Sequence, residues 1–179
     1  MEYGERIRSR RTKQEYVSWI KSQSCDWLHV VLHCIERNAI GLGTLQNGPL
    51  VRALQWTNCA VDRRLGVGGK QLRKIATWGG DKSIGVVPHV HMMIEKPEAG
   101  AIEYKNLFRQ LFKDNASKAF RSRTIAPKVE IFEVREADFI EGREVGNPLD
   151  KLVRYVLRPE DEKYGSGNDK VIDKACYLQ

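Results

Sequence analysis

The chain has 179 residues, 41% of them hydrophobic and 30% charged, which predicts one soluble globular domain with enough length for a real core. No apolar run approaches a membrane span, the N-terminus Met1-Glu2-Tyr3-Gly4-Glu5-Arg6 lacks a signal-type apolar stretch, and Cys25, Cys34, Cys59 and Cys176 show no CxxC spacing. These features argue against a membrane protein, a secreted protein and a structural zinc site, and predict a cytoplasmic protein with reduced thiols. Against 23 Asp and Glu stand 30 Lys and Arg, and the net charge of +7 favours a polyanionic partner, nucleic acid first.

Residues 1–24 carry Arg6, Arg8, Arg10, Arg11, Lys13 and Lys21 around Tyr16, Val17, Trp19 and Ile20, which predicts a basic helix or partly ordered arm. Residues 27–35 have the β-branched and apolar content of a first core strand. Leu28, Val30, Leu32 and Cys34 share one face of it; His29 and His33 share the other, where they could line a site or stand as ordinary satisfied histidines. Helical spacing of Leu50, Ala53, Leu54, Trp56 and Val61 predicts a helix over 50–62, followed by a flexible basic loop, 63–70, rich in glycine. A second strand is expected over 72–78, a second helix over 101–112 and a further strand over 129–134, with Phe139-Ile140 extending the sheet.

Pro88-His89-Val90-His91-Met92-Met93-Ile94-Glu95 reads as a buried strand returning antiparallel to 72–78. Alternation puts His89 and His91 on one face, about 7 Å apart along the strand, with Val90, Met92 and Ile94 turned to the core. Two neutral imidazoles so placed can share one divalent cation, or stand as two histidines on a solvent-facing surface. The predicted architecture is α+β, an antiparallel sheet of about five strands in a split βαβ, ferredoxin-like (RRM-like) order with helices on one face.

A last helix is expected from Pro148 to about Arg158, with Leu149, Leu152, Val153, Val156 and Leu157 as its apolar stripe. Tyr155 stands off the centre of that stripe, on the side of Lys151 and Arg158. Pro159 ends the helix, and 159–179 read as a charged, weakly packed tail beyond a domain spanning 25–158.

His89-Val90-His91 together with Val153-Arg154-Tyr155-Val156-Leu157-Arg158 resembles the HUH endonuclease superfamily, in its single-tyrosine branch of rolling-circle replication initiators from phages and plasmids. The segment from Thr77-Trp78-Gly79-Gly80 through Met93-Ile94-Glu95-Lys96-Pro97 is similar to the surroundings of that motif in small initiators. The resemblance implies an endonuclease that nicks and rejoins single-stranded DNA at an origin. His89 and His91 would hold Mg²⁺ or Mn²⁺, and Tyr155, on a C-terminal helix, would form a 5′-phosphotyrosine link with Lys151 and Arg158 beside it. Arg158 stands where the family usually has lysine, and strand one matches the family's first motif poorly. The third metal ligand that the family supplies has no clear counterpart at Thr77-Trp78; Asp81 is the nearest replacement, and Glu95 shares the parity of the histidines. No GxxxxGK[ST] loop is present, so unwinding would fall to a host helicase or polymerase partner in the bacterial cell. A single-tyrosine transposase or mobilisation relaxase would use the same chemistry. A non-catalytic RRM-like nucleic-acid-binding module is the alternative from a different class.

Overall fold

The computed structural model describes residues 13–36, 47–79, 89–121, 125–134, 139–140, 143–144, 149 and 153. In chain order they form α1 (Lys13–Ser22), β1 (Trp27–Glu36), α2 (Asn47–Leu65), β2 (Lys74–Gly79), β3 (His89–Glu95), α3 (Ala101–Phe120), β4 (Ile125–Glu133), β5 (Phe139–Ile140) and β6 (Arg143–Glu144). No helix among these residues is long and apolar enough to cross a membrane.

The fold is α+β, built on a four-stranded antiparallel sheet in the order β2-β3-β1-β4. Helix α2 leads from β1 to β2, and α3 from β3 to β4. Phe139–Ile140 does not extend this sheet; it pairs with Arg143–Glu144 in a separate two-stranded ribbon. The two pairing partners lie only a turn apart in the chain, so the local hairpin satisfies their backbone groups first.

Alternation along the strands divides the molecule into two cores. Leu28, Val30, Leu32, Val90, Met92 and Ile94 point to the side covered by α2 and α3, where Leu54, Tyr104, Phe108 and Phe112 complete the main cluster. The opposite side is covered by α1. Tyr16 and Ile20 bury against Trp27, Ile75 and Met93, and Val153 closes the same cluster. Helices therefore lie on both faces of the sheet, not on one as expected. The reason is legible in α1, whose Tyr16, Ile20 spacing makes a one-turn apolar stripe among charged neighbours.

Both long helices run further than expected. The stripe of α3 continues through Ala116 and Ala119, and Arg121 (φ 52°) ends it in the left-handed region. Helix α2 takes in Arg63 and Arg64, cations suited to the negative end of its dipole. Gly66 then makes the turn: its N–H donates to the Asp62 carbonyl at 2.9 Å, and a Cβ there would collide with the carbonyl oxygens of Asp62 and Lys70. The glycine-rich stretch is thus a tight structural turn.

Within the main core lies one buried ion pair. Lys74 Nζ sits 2.5 Å from Asp62 Oδ2, and Asp62 Oδ1 accepts the Leu72 N–H. Burial pushes the Lys74 pKa down while Asp62 pulls it back up. The prediction is that Asp62→Ala, which strands the ammonium in the core, costs about 3–5 kcal/mol in urea unfolding. The double change Asp62→Ala with Lys74→Met should recover most of that loss.

Candidate active site

Four histidines lie on one face of the two central strands. The β1–β3 register sets Val31 opposite His91 and His29 opposite Met93, so the odd-numbered side chains of both strands project to the face that carries α1. His89 and His91 are brought together: their Nε2 atoms are 2.8 Å apart, with ring centres at 4.5 Å and planes at 84°. His29 Nε2 lies 3.1 Å from His91 Nδ1, with ring centres 5.3 Å apart and planes at 25°. His33 packs on His89 with ring centres at 5.1 Å. His91 is 5% exposed and stands at the centre of the group.

Electrostatics keep the flanking rings neutral. Burial, reinforced by the nearby His89, pushes the His29 pKa down to about 4. The same two causes lower that of His33. A neutral imidazole keeps one lone pair for a proton donor or a metal.

The neighbouring strands supply few competing ligands. On β2, Thr77 and Gly79 stand opposite His91 and His89. On β4, Lys128, Glu130 and Phe132 share the histidine face, opposite His33, Val31 and His29. Glu130 is paired with Lys128 at 3.0 Å, which holds its carboxyl below the usual range. Phe132 is 53% exposed and lies 6.1 Å from the His29 ring, an aromatic face open to solvent. Glu95 is engaged elsewhere: Arg73 grips both its oxygens, with Nη2 at 2.7 Å from Oε1, and lowers its pKa. Asp81, Lys151, Tyr155 and Arg158 lie outside the described residues. Val153, two positions before Tyr155 in the chain, is buried on the histidine side of the sheet.

Among the described residues no group of three or more His, Cys, Asp or Glu is placed to hold a metal ion. The His89–His91 pair nevertheless has the form of a two-nitrogen chelate. An in-line N–H···N bond of 2.8 Å would set the ring centres about 5 Å apart. The observed 4.5 Å, with nearly perpendicular planes, means that at least one of the two rings is turned off the line joining the Nε2 atoms. Neighbouring ligand positions on an octahedral ion with bonds of about 2.1 Å lie about 3 Å apart, so the donor pair fits such a cation.

Two members of this face have their parity set by the sequence, but not their neighbours across the sheet. His29 carried the right parity, but only the β1–β3 register puts its ring on His91. Phe132 was marked by alternation, since Val129 and Ile131 take the core side and leave it with Lys128 and Glu130.

His91→Ala should lower stability by about 1–3 kcal/mol, because it removes a buried ring with a partner at each nitrogen. His89→Ala should cost less than about 1 kcal/mol, and both should abolish Mn²⁺ binding measured by calorimetry. Glu95→Ala should leave Mn²⁺ affinity unchanged, since Arg73 rather than the histidines holds that carboxylate. No family model, curated protein or solved structure matches this chain, and its function is read from these side chains.

Proposed function

We propose that this protein is a replication initiator that nicks and rejoins single-stranded DNA at an origin, with His89 and His91 holding one Mg²⁺ or Mn²⁺ and Tyr155 as the nucleophile. The observation that carries the reading is the close approach of the His89 and His91 Nε2 atoms, 2.8 Å apart on a sheet strand. Two others support it. The strand order β2-β3-β1-β4, with a helix after β1 and after β3, is what a split βαβ or ferredoxin-like fold requires. Val153, two positions before Tyr155 in the chain, is buried on the histidine side of the sheet, and the net charge of +7 suits a polyanion.

In the proposed reaction the Tyr155 hydroxyl oxygen bonds to the scissile phosphorus as the bond from phosphorus to the 3′ oxygen breaks. The phenolic proton passes to solvent, and the departing oxygen takes one up to become the 3′-OH. A phenol of ordinary pKa near 10 is a weak nucleophile at neutral pH. Lys151 and Arg158 would favour its ionised form and offset the phosphate's charge. The bound cation would polarise the scissile phosphate. Attack by a 3′-OH on the phosphotyrosine reverses the step and rejoins the strand, so the bond energy is conserved. Phe132, open to solvent beside His29, offers a face on which a nucleobase can stack. Unwinding would require a host helicase. A transposase or relaxase of the same superfamily would use the same atoms on a different DNA target.

A second reading has one observation in its favour. An exposed aromatic on an open sheet face is also what a non-catalytic, RRM-like module presents to single strands. A nicking assay on labelled single-stranded DNA carrying the origin separates the two. The enzyme gives an Mn²⁺-dependent covalent adduct on a denaturing gel, lost in Tyr155→Phe with DNA affinity retained; the module binds DNA and gives no adduct with or without metal. Phe132→Ala should weaken single-strand binding by roughly tenfold or more, in line with the loss of one stacked base.

A further inference from the structure

We propose that His29 is a positioning residue that accepts a hydrogen bond from His91 Nδ1 and so fixes the His91 tautomer whose Nε2 lone pair faces His89. This rests on reading His89 and His91 as a metal-holding pair.

The argument is the geometry of the contacts that His91 makes with His29 and with His89. At Nδ1, the His29 Nε2 atom is 3.1 Å away, the ring centres are 5.3 Å apart and the planes differ by 25°. An in-line N–H···N bond of that length places ring centres about 5.4 Å apart, so the two rings lie nearly edge to edge in one plane with the nitrogens between them. That is the best alignment a histidine–histidine hydrogen bond can have. At Nε2 the contact with His89 is off-line, with centres at 4.5 Å and planes at 84°. A neutral imidazole carries a single proton. The aligned contact gains more from that proton than the off-line one, so the proton is assigned to Nδ1 and the Nε2 lone pair to the side of His89.

Position makes the assignment specific to His29. It stands on β1, while His89 and His91 stand on β3, and the register that sets Val31 opposite His91 offsets His29 diagonally. Its ring reaches along the sheet to the Nδ1 of His91. His33, by contrast, packs on His89 with its ring plane 30° from the other and ring centres at 5.1 Å. Hydrogen-bond partners of this kind hold a ligating imidazole's orientation and tautomer, and their loss typically costs 10–100-fold in metal affinity.

The test is the imidazole ¹⁵N spectrum of the metal-free protein at neutral pH, which separates protonated from lone-pair nitrogens ring by ring. The expected result is a His91 with its proton on Nδ1. In His29→Phe, which keeps a flat ring but has no acceptor, the proton should move to Nε2 and Mn²⁺ affinity should fall 10–100-fold. His29→Gln, whose amide oxygen reaches the place of Nε2, should restore both. A wild-type His91 protonated on Nε2, or a tautomer unchanged in a folded His29→Phe, would overturn the proposal. Absence of any Mn²⁺ or Mg²⁺ binding by the wild type, with the Nδ1 proton in place, would instead overturn the metal reading and leave the role of His29 standing.

Discussion

The pairing of β1 with β3 is the constraint on which everything else depends. Because side chains alternate, a slip of one residue in this register would send Leu28, Val30 and Leu32 to the histidine face and the histidines into the core. The large apolar side chains packed under α2 and α3 make that slip very costly. Burying each is worth about 1.5–3 kcal/mol. The core therefore sets the positions of His29, His33, His89 and His91 although none of them contributes to it. A site defined in this way is as rigid as the hydrophobic packing behind it, which is the condition for two nitrogens to be held at ligand spacing.

The two faces of the sheet do different work. One is closed, and its buried ion pair among the described residues, Asp62 with Lys74, is matched. The other is divided. Near Trp27, Ile75 and Met93 it is sealed by Tyr16 and Ile20 of α1 and by Val153, whereas Lys128 and Phe132 on β4 remain open to solvent. The histidines sit on the border between these halves. That placement explains their electrostatics, since burial on the sealed side depresses the His29 pKa.

Much of this was legible in the amino-acid sequence, and the losses have physical causes. Parity alone identified the shared face of His89 and His91 and the shared face of His29 and His33, because alternation is a property of any strand. Which strands become neighbours depends on long-range pairing, so the contact between the two histidine pairs could not be read from spacing. Glu95 shows the same limit: its parity matched that of the histidines, but Arg73, 22 positions earlier, claims it through a contact set by the β2–β3 ladder. Helix α3 outran its expected end because alanines at 116 and 119 are weak apolar signals in sequence yet fill close-packed positions between helix and sheet. Phe139–Ile140 pairs with β6 instead of extending the sheet, and a two-residue strand carries no sequence signal of which partner it will choose.

The histidine group is itself a poor contributor to stability. His91 is nearly withdrawn from water, and its nitrogens face other imidazoles, each able to supply one donor and one acceptor at most. Burying such a polar ring is worthwhile energetically only when its partners are well aligned. Of its contacts with His29 and His89, one is well aligned and the other is not. An apolar side chain in place of His91 would pack this position at no such cost. A fold that retains four histidines here, backed by a fully apolar face on the other side of the same strands, carries a local weakness that its core can absorb.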